Sequence, residues 1–435
     1  MPIETTDLKH RSHKVQKVRV INPLTISSSG ESGSSTALDL NPNYFDPFSR
    51  LRVSQANLLF DGQLTYDLQP LLFDQDTTAN AAIAHDSDNR CATMTLTSAV
   101  DTNSARMRTF EHFRYKAGNG QLAFITFNMN GGTANTQKIA GLSTGSNGIE
   151  FLMDGTTPTF RILSDTDLGD ESVTQANWNI DTLLDGTGPS GKTIDFTKTQ
   201  ILVIDFQALY VGRVRIGFDI DGVIVYCHEF NHANDAADPY VQTANLPINV
   251  ELKATDAVTS ATMEYICSTV ITEGGTADDF AYHFSEEGTV TAASGTDTHI
   301  LSIEPTLTFN SIENRIKIVP TSLDIVVTGN NPVLWKLCVG QALTTPSATA
   351  VNSTYSGVQS TTGTLSGDPA IVIAQGYVAA TNQNKSSINQ ETLIKYPITL
   401  DADGALRDLG RLTVLVQGIG GTSATRAILN WDEIR

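Results

Sequence analysis

Three observations make the chain all-β, read as two consecutive β-sandwich or jelly-roll domains behind an extended N-terminal arm. Small or polar residues alternate with apolar ones in many segments. Asp-Gly and Gly-Asn-Gly turns lie between such segments, and nowhere does a 3.6-residue period persist. Residues 1–49 are then the arm and linker, 50–280 a first jelly-roll or lectin-like sandwich, and 281–435 a second.

The arm is set apart by charge. Lys9, Arg11, Lys14, Lys17 and Arg19 outnumber Glu4 and Asp7, although the whole chain carries a net charge of −19. A Ser/Gly run, Ser27 to Thr36, follows as a flexible linker or exposed loop. In the first sandwich, Cys91–Val100 alternates with period two, as does Arg108–Tyr115. The latter is expected to meet Gln121–Phe127 in a hairpin through Gly118-Asn119-Gly120. Asp154-Gly155 and Asp221-Gly222 each separate two further alternating segments, 149–153 from 159–163 and 214–220 from 223–230. Asp-Gly is a strong hairpin signal because the turn needs positive φ at its central residues. Met263–Ile271 is another strand, broken by Glu273-Gly274-Gly275. The second block is expected to hold strands at 298–303, 315–319, 323–327, 333–339, 370–374, 393–398 and 411–416.

Composition excludes several classes. Forty-seven acids against twenty-eight bases leave no chain-wide cationic surface for phosphate backbones, so direct nucleic-acid binding is not expected. No apolar run approaches the ~18–20 residues of a membrane span, and the N-terminus lacks an apolar signal core. Cys91, Cys227, Cys267 and Cys338 are far apart without a CxxC, which reads as reduced, mostly buried thiols and assembly in a cytoplasm.

Two catalytic patterns occur literally. Gly186-Thr187-Gly188-Pro189-Ser190-Gly191-Lys192-Thr193 matches a P-loop, and Ile201-Leu202-Val203-Ile204-Asp205 mimics the strand and aspartate that accompany one. A P-loop needs a helix after it, yet the few residues between Thr193 and Ile201 are too short for a crossover of ~10–12 residues. His228-Glu229-Phe230-Asn231-His232 matches HExxH, which binds zinc when a helix brings its two histidines together. On a strand they would stand roughly 13 Å apart at ~3.3 Å per residue. The acidic turns at Asp165, Asp167, Asp170 and Glu171 and at Asp401 and Asp403 lack EF-hand spacing and read as exposed loops. Trp178 and Tyr240 read as core or subunit packing. The expectation is therefore no catalytic residues, no metal ligands, no cofactor and no enzyme.

One resemblance remains. Asn43-Tyr44-Phe45-Asp46-Pro47-Phe48-Ser49-Arg50-Leu51-Arg52-Val53-Ser54, with Leu58-Leu59-Phe60-Asp61, resembles the "F..LRVS...TLFD" opening of structural proteins of tailed bacteriophages. Arg106–Phe110, Phe113-Arg114-Tyr115, Gly118-Asn119-Gly120-Gln121, Val211–Arg215, Asn245–Ile248 and Thr272–Gly275 follow in that family's order. A fainter echo continues at Arg315–Pro320 and Leu429–Glu433. Where the family has Thr-Leu-Phe-Asp, this chain has Leu58-Leu59-Phe60-Asp61.

The resemblance implies a virion protein, made in the host cytoplasm, that works by subunit assembly in a tail or appendage. Its partners would be other virion proteins and copies of itself, a homotrimer by analogy with virion β proteins. The docking residues would be Lys9, Arg11, Lys14, Lys17, Arg19, Phe45, Phe48, Arg50 and Arg52. A capsid decoration protein is the alternative within this class. A glycan-binding adhesin recognising a host surface glycan is the alternative outside it.

Overall fold

A strand of alternating polarity buries one face, and without helices to cover that face a second sheet must do so. The computed structural model describes residues 45–47, 49–52, 56–207, 209–243, 245–273, 281–380, 386–387 and 398–435. Lys9, Arg11, Lys14, Lys17, Arg19 and Phe48 lie outside the described residues, as does the predicted arm before Phe45. Phe45–Arg435 forms one compact unit.

The chain opens with strands β1 (Ala56–Gln63), β2 (Phe73–Thr77), β3 (Ala81–Asp86), β4 (Cys91–Ala99) and β5 (Ser104–Thr109). Next come β6 (Gly120–Asn128), β7 (Thr136–Ser143), β8 (Gly148–Asp154), β9 (Thr157–Leu163) and β10 (Glu171–Thr174). Then follow β11 (Thr199–Gln207), β12 (Val214–Ile220), β13 (Val223–Phe230), β14 (Ile248–Ala254) and β15 (Val258–Glu273). An eight-stranded sheet runs β13-β12-β11-β6-β15-β4-β3, with β1 also paired to β15, and a seven-stranded sheet runs β10-β9-β8-β7-β14-β5-β2. Leu202, Ile204 and Phe218 of the first sheet share a core with Ile149, Phe151 and Phe160 of the second. Aromatic rings knit it together: Phe151 stacks on Phe127 and on Phe196 at 5.7 and 5.0 Å, and meets Phe218 edge-on at 5.6 Å. Such pairs add ~0.5–1.5 kcal/mol each beyond their buried area.

From Ala281 the strands are β16 (Ala281–Ala292), β17 (Thr298–Pro305), β18 (Thr308–Phe309), β19 (Ile312–Glu313), β20 (Lys317–Val327) and β21 (Val333–Val339). They continue as β22 (Leu343–Ala350), β23 (Val358–Leu365), β24 (Ile371–Val378), β25 (Ser386–Ser387), β26 (Leu412–Gly418) and β27 (Ser423–Ile434). These form a four-stranded sheet, β16-β27-β20-β25, a six-stranded sheet, β22-β23-β17-β26-β21-β24, and a two-stranded ribbon, β18-β19. Their core is aliphatic apart from Trp335 and Trp431. β27 pairs with β16 and β20 along almost its whole length. Its inward residues alternate as Ala427, Leu429, Trp431 and Glu433, all buried. The all-β sandwich expectation holds. Among the described residues, helical turns are limited to Gln175–Asn177 and Asp408–Gly410.

Local expectations divide. Asp221 and Gly222 both have positive φ, 58° and 78°, as a type I′ turn requires. At Asp154-Gly155 the strands end at Asp154 and Thr157, so the central residues are Gly155 and Thr156, and only Gly155 (φ 56°) is positive. The hairpin predicted between 108–115 and 121–127 is absent. β5 stops at Thr109 and lies between β14 and β2 in one sheet, whereas β6 lies in the other. Alternation marks a strand but not its partner, and residues 110–119 carry the chain from sheet to sheet. The predicted strands 315–319 and 323–327 are one strand, β20, with a bulge between Pro320 and Ser322. Proline lacks the N–H a ladder needs, so a bulge there is expected chemistry. Of the strand predicted at 393–398, residues 393–397 lie outside the described residues.

Candidate functional site

The residues that carry the resemblance are scattered along the chain, and the fold gathers them at two places. The first lies on the outer side of β11, β12 and β13. On β11 an apolar run, Ile201 to Phe206, contains one acid, Asp205, whose side chain has no exposure. A buried carboxylate needs cations and donors. Oδ2 of Asp205 receives Arg52 Nη2 at 2.5 Å, Arg215 Nη2 at 2.6 Å and the Tyr226 hydroxyl at 2.5 Å. Arg52 also pairs with Glu273 at 2.6 Å, and the Arg215 guanidinium stacks 4.3 Å from the Tyr226 ring centroid.

This cluster fastens the segment Phe45–Arg52. Phe45 bridges to Leu51, and Ser49 turns the chain with φ 61°. Asp46 accepts from the Arg50 backbone N–H at 2.8 Å and from its Nε at 2.7 Å. The Phe45 carbonyl accepts from Arg52 at 2.9 Å and Arg215 at 3.0 Å; that of Pro47 accepts from Arg213 at 2.6 Å and Gln207 at 2.9 Å. Arginine suits this work because one guanidinium serves a carboxylate and a carbonyl together. Gly120 keeps the seat clear: a Cβ there would lie 2.9 Å from Pro47 Cδ and 3.1 Å from Glu273 Oε2.

Electrostatics follow burial. Desolvation pushes the Glu273 carboxyl up to about 7, against the pull of Arg52. Burial, with Asp205 beside it, raises the Tyr226 hydroxyl, which therefore stays a donor. Desolvation alone would lower Arg52, but Asp205, Tyr226 and Glu273 outweigh it and its pKa rises.

The second gathering lies where the 281–435 sheets meet the 45–273 sheets. Asp403 pairs with Arg106 at 2.6 Å and Arg108 at 3.5 Å. Lys317 reaches Glu111 at 2.6 Å, and Arg315 donates to the carbonyls of Asp401 at 2.6 Å and Ala402 at 3.0 Å. Arg407 lies 3.9 Å over the Phe110 ring. Burial and the neighbouring Arg106 lower Arg108 to about 10. Beside these contacts is a cavity of about 250 Å³.

Of the candidate docking residues, Phe45, Arg50 and Arg52 are brought together at the first place, each bonded within the chain. Sequence reasoning met Asp205 only as part of the P-loop mimic and passed over Tyr226 and Gln207. The usable signal was an acid inside an apolar strand. The echo at 429–433 has a structural explanation: Glu433 is buried and accepts from Ser356 Oγ at 2.5 Å and the Gly357 amide at 3.2 Å.

The literal motifs do other work. Gly186–Thr193 is a loop without a helix, and an aspartate fills its cradle. Asp181 accepts the Ser190 amide at 2.8 Å, and a Cβ on Gly188 would fall 2.1 Å from its Oδ1. A carboxylate there repels phosphate. His228 lies in β13 and accepts the Asn179 amide at 3.1 Å, while His232 pairs with Glu171 at 2.7 Å. Among the described residues no group of three or more His, Cys, Asp or Glu could hold a metal. Trp178 and Tyr240 are buried in the core, and the four thiols are free. No helix among the described residues is long and apolar enough to cross a membrane.

No family model matches the chain, and no curated protein matches it. Solved structures of similar shape include the catalytic domain of an endo-1,3-beta-glucanase (laminarinase) from Thermotoga petrophila RKU-1. It is 11% identical, covers 51% of this chain and 100% of its own, and has a TM-score of 0.34. The alginate lyase AlyC3 in complex with dimannuronate is 8% identical over 45% of this chain and 79% of its own, with a TM-score of 0.29. The carbohydrate recognition domain of Emp46p is 10% identical over 50% of this chain and 97% of its own, with a TM-score of 0.31. The expectation that the chain is not an enzyme does not stand as made: a glucanase and a lyase are among the similar shapes as well as a recognition domain, and the likeness shows the fold alone.

Proposed function

We propose that the chain is a structural subunit of a tailed-bacteriophage virion, in a tail or appendage, and works by assembling with other virion proteins and with copies of itself. The observation that carries this reading is the convergence of Phe45, Arg52, Gly120, Arg213, Arg215 and Glu273 on one seat, though they are far apart in sequence. These residues carry the phage resemblance, and together they anchor the segment that follows the arm. An anchored segment lets a preceding basic stretch work on a neighbour without loosening its own sandwich. Lys9, Arg11, Lys14, Lys17 and Arg19 supply that charge, and the rest of the chain carries more than the whole −19 for them to meet on another copy.

Particles assembled with residues 1–36 deleted provide the test, with copies per particle counted by mass spectrometry. We expect incorporation to fall at least about tenfold. Unchanged incorporation of the shortened chain sinks the role of the arm, and its absence from a cryo-EM map of the intact particle sinks the reading as a whole.

A further inference from the structure

The long strand β15 changes neighbours part-way along one edge. It pairs with β4 as far as Tyr265, opposite Ala92, and with β1 from Cys267, opposite Gln63. Ile266 falls between the two, and the β6 edge skips it as well, as a bulge between Tyr265 and Cys267. A bulge of this kind ends one pairing and re-aims the side chains beside it. Where β4 hands over to β1 the sheet has a notch of about 330 Å³. Asp61 and Gln63 of β1 line it, with Asn89 and Arg90 from the turn before β4, Phe124 of β6 and Cys267 of β15.

The period of two turns these side chains to water. Phe60, Leu64, Ala123, Ile125, Ser268 and Val270 are buried on the core face, so Asp61, Gln63, Phe124, Cys267 and Thr269 stand on the other. Asp61, Gln63, Asn89 and Arg90 are exposed, and Phe124 and Cys267 are half-buried. Register puts Asp61, Thr269 and Phe124 in one cross-strand row and Gln63, Cys267 and Thr126 in the next. Two strand spacings set the backbone at Asp61 roughly 10 Å from that at Phe124.

The polar groups of the notch carry no net charge. Asp61 accepts from Gln63 at 3.3 Å and Arg90 donates to the Thr65 carbonyl at 3.0 Å; among the described residues neither has an ion pair. One exposed acid and one exposed guanidinium offer a charged ligand little, because water screens both. They do offer hydrogen bonds in both senses beside an aromatic ring: the carboxylate accepts and the guanidinium donates. A neutral sugar matches this, with hydroxyls for the polar groups and a C–H face for the ring.

We propose that the notch binds a neutral disaccharide unit, one ring on Phe124 and the next held by Asp61 and Arg90. The site is independent of the virion reading, since it is found on purified protein whereas that reading is tested in particles.

Cys267 gives a local readout, because the other three thiols are buried. Iodoacetamide alkylation of Cys267 in the full chain, followed by mass spectrometry, is measured with maltose, cellobiose or lactose present, and calorimetry gives the affinity for each. At least one of these sugars is expected to slow alkylation about tenfold at about ten times its Kd, and to bind equally well at high salt. Asp61→Ala, at an exposed position, should weaken that sugar about tenfold with the melting temperature held, and Phe124→Leu should weaken it as much. If Phe124→Leu fails to fold, or Cys267 alkylates too slowly to follow, the calorimetric ratio of wild type to Asp61→Ala decides. Sugar binding that Asp61→Ala leaves unchanged overturns the proposal, and protection by the acidic sialyllactose alone overturns the neutral class. No heat and no protection with any of the three sugars at millimolar concentration overturns the site altogether.

Discussion

The two gatherings of charge are built from the same residue types and differ in closure. Around Asp205 the groups balance: Arg52 and Arg215 face Asp205 and Glu273, and none of the four is more than 18% exposed in its side chain. At the junction the pairs stand nearer to water: the Asp403 side chain is 57% exposed. A balanced, desolvated cluster spends its interactions on holding one segment in place. Pairs open to water are screened and hold their segments less firmly. The difference teaches that the resemblance residues do not form one functional unit, although the sequence places them in one continuous order.

The largest effect should come from breaking the closed cluster. Arg215→Met removes a side chain that is 5% exposed and leaves Asp205 with less compensation. Removing one partner of a buried pair costs about 3–5 kcal/mol, and urea denaturation of the full chain should show it. A loss under about 1 kcal/mol would place Asp205 in the same hydrated class as the junction, and the contrast would fail.

Next in size is a pH effect specific to the closed cluster. Glu273 is raised from 4.5 to about 7 in the folded chain, so the folded state holds this proton more tightly than the unfolded state. The stabilisation is full below about pH 4.5 and lost once the pH passes about 7. Across that window, stability should fall by up to about 3 kcal/mol from this group alone. Glu273→Gln should flatten the fall, which the difference between denaturation midpoints of the two proteins across pH will reveal. Identical pH profiles would mean that Arg52, not burial, governs this carboxyl.

How far the sequence could be read follows from which interactions are local. The Asp221-Gly222 hairpin was legible because turn and alternation lie within one window. Residues 110–119 were not, because leaving one sheet for the other is decided by distant partners such as Leu246, which bridges Phe113. Arg52 was singled out, but as a surface for another subunit. Its ion pair with Asp205, 153 positions away, has no local signature beyond an acid in an apolar strand. The notch at Ile266 gave no signal, because a change of strand neighbours is a property of topology.

A smaller effect should appear at the junction. Lys317 and Glu111 are 31% and 18% exposed, so Lys317→Met should cost only about 0.5–1 kcal/mol. A cost near that of Arg215→Met would show the junction to be as closed as the cluster around Asp205.

The smallest expected effect calibrates both. Lys192, the lysine of the literal P-loop, pairs at 2.6 Å with Asp221, and the two side chains are 44% and 76% exposed. Water screens such a pair and competes for both ends, so Lys192→Ala should leave the urea denaturation midpoint unchanged. Calorimetric titration with ATP should give no heat that this substitution removes, because the Asp181 carboxylate already takes the Ser190 amide and would repel a phosphate there. ATP binding lost with Lys192 would mean that Asp181 can leave the cradle, and the loop would then belong with the open sites.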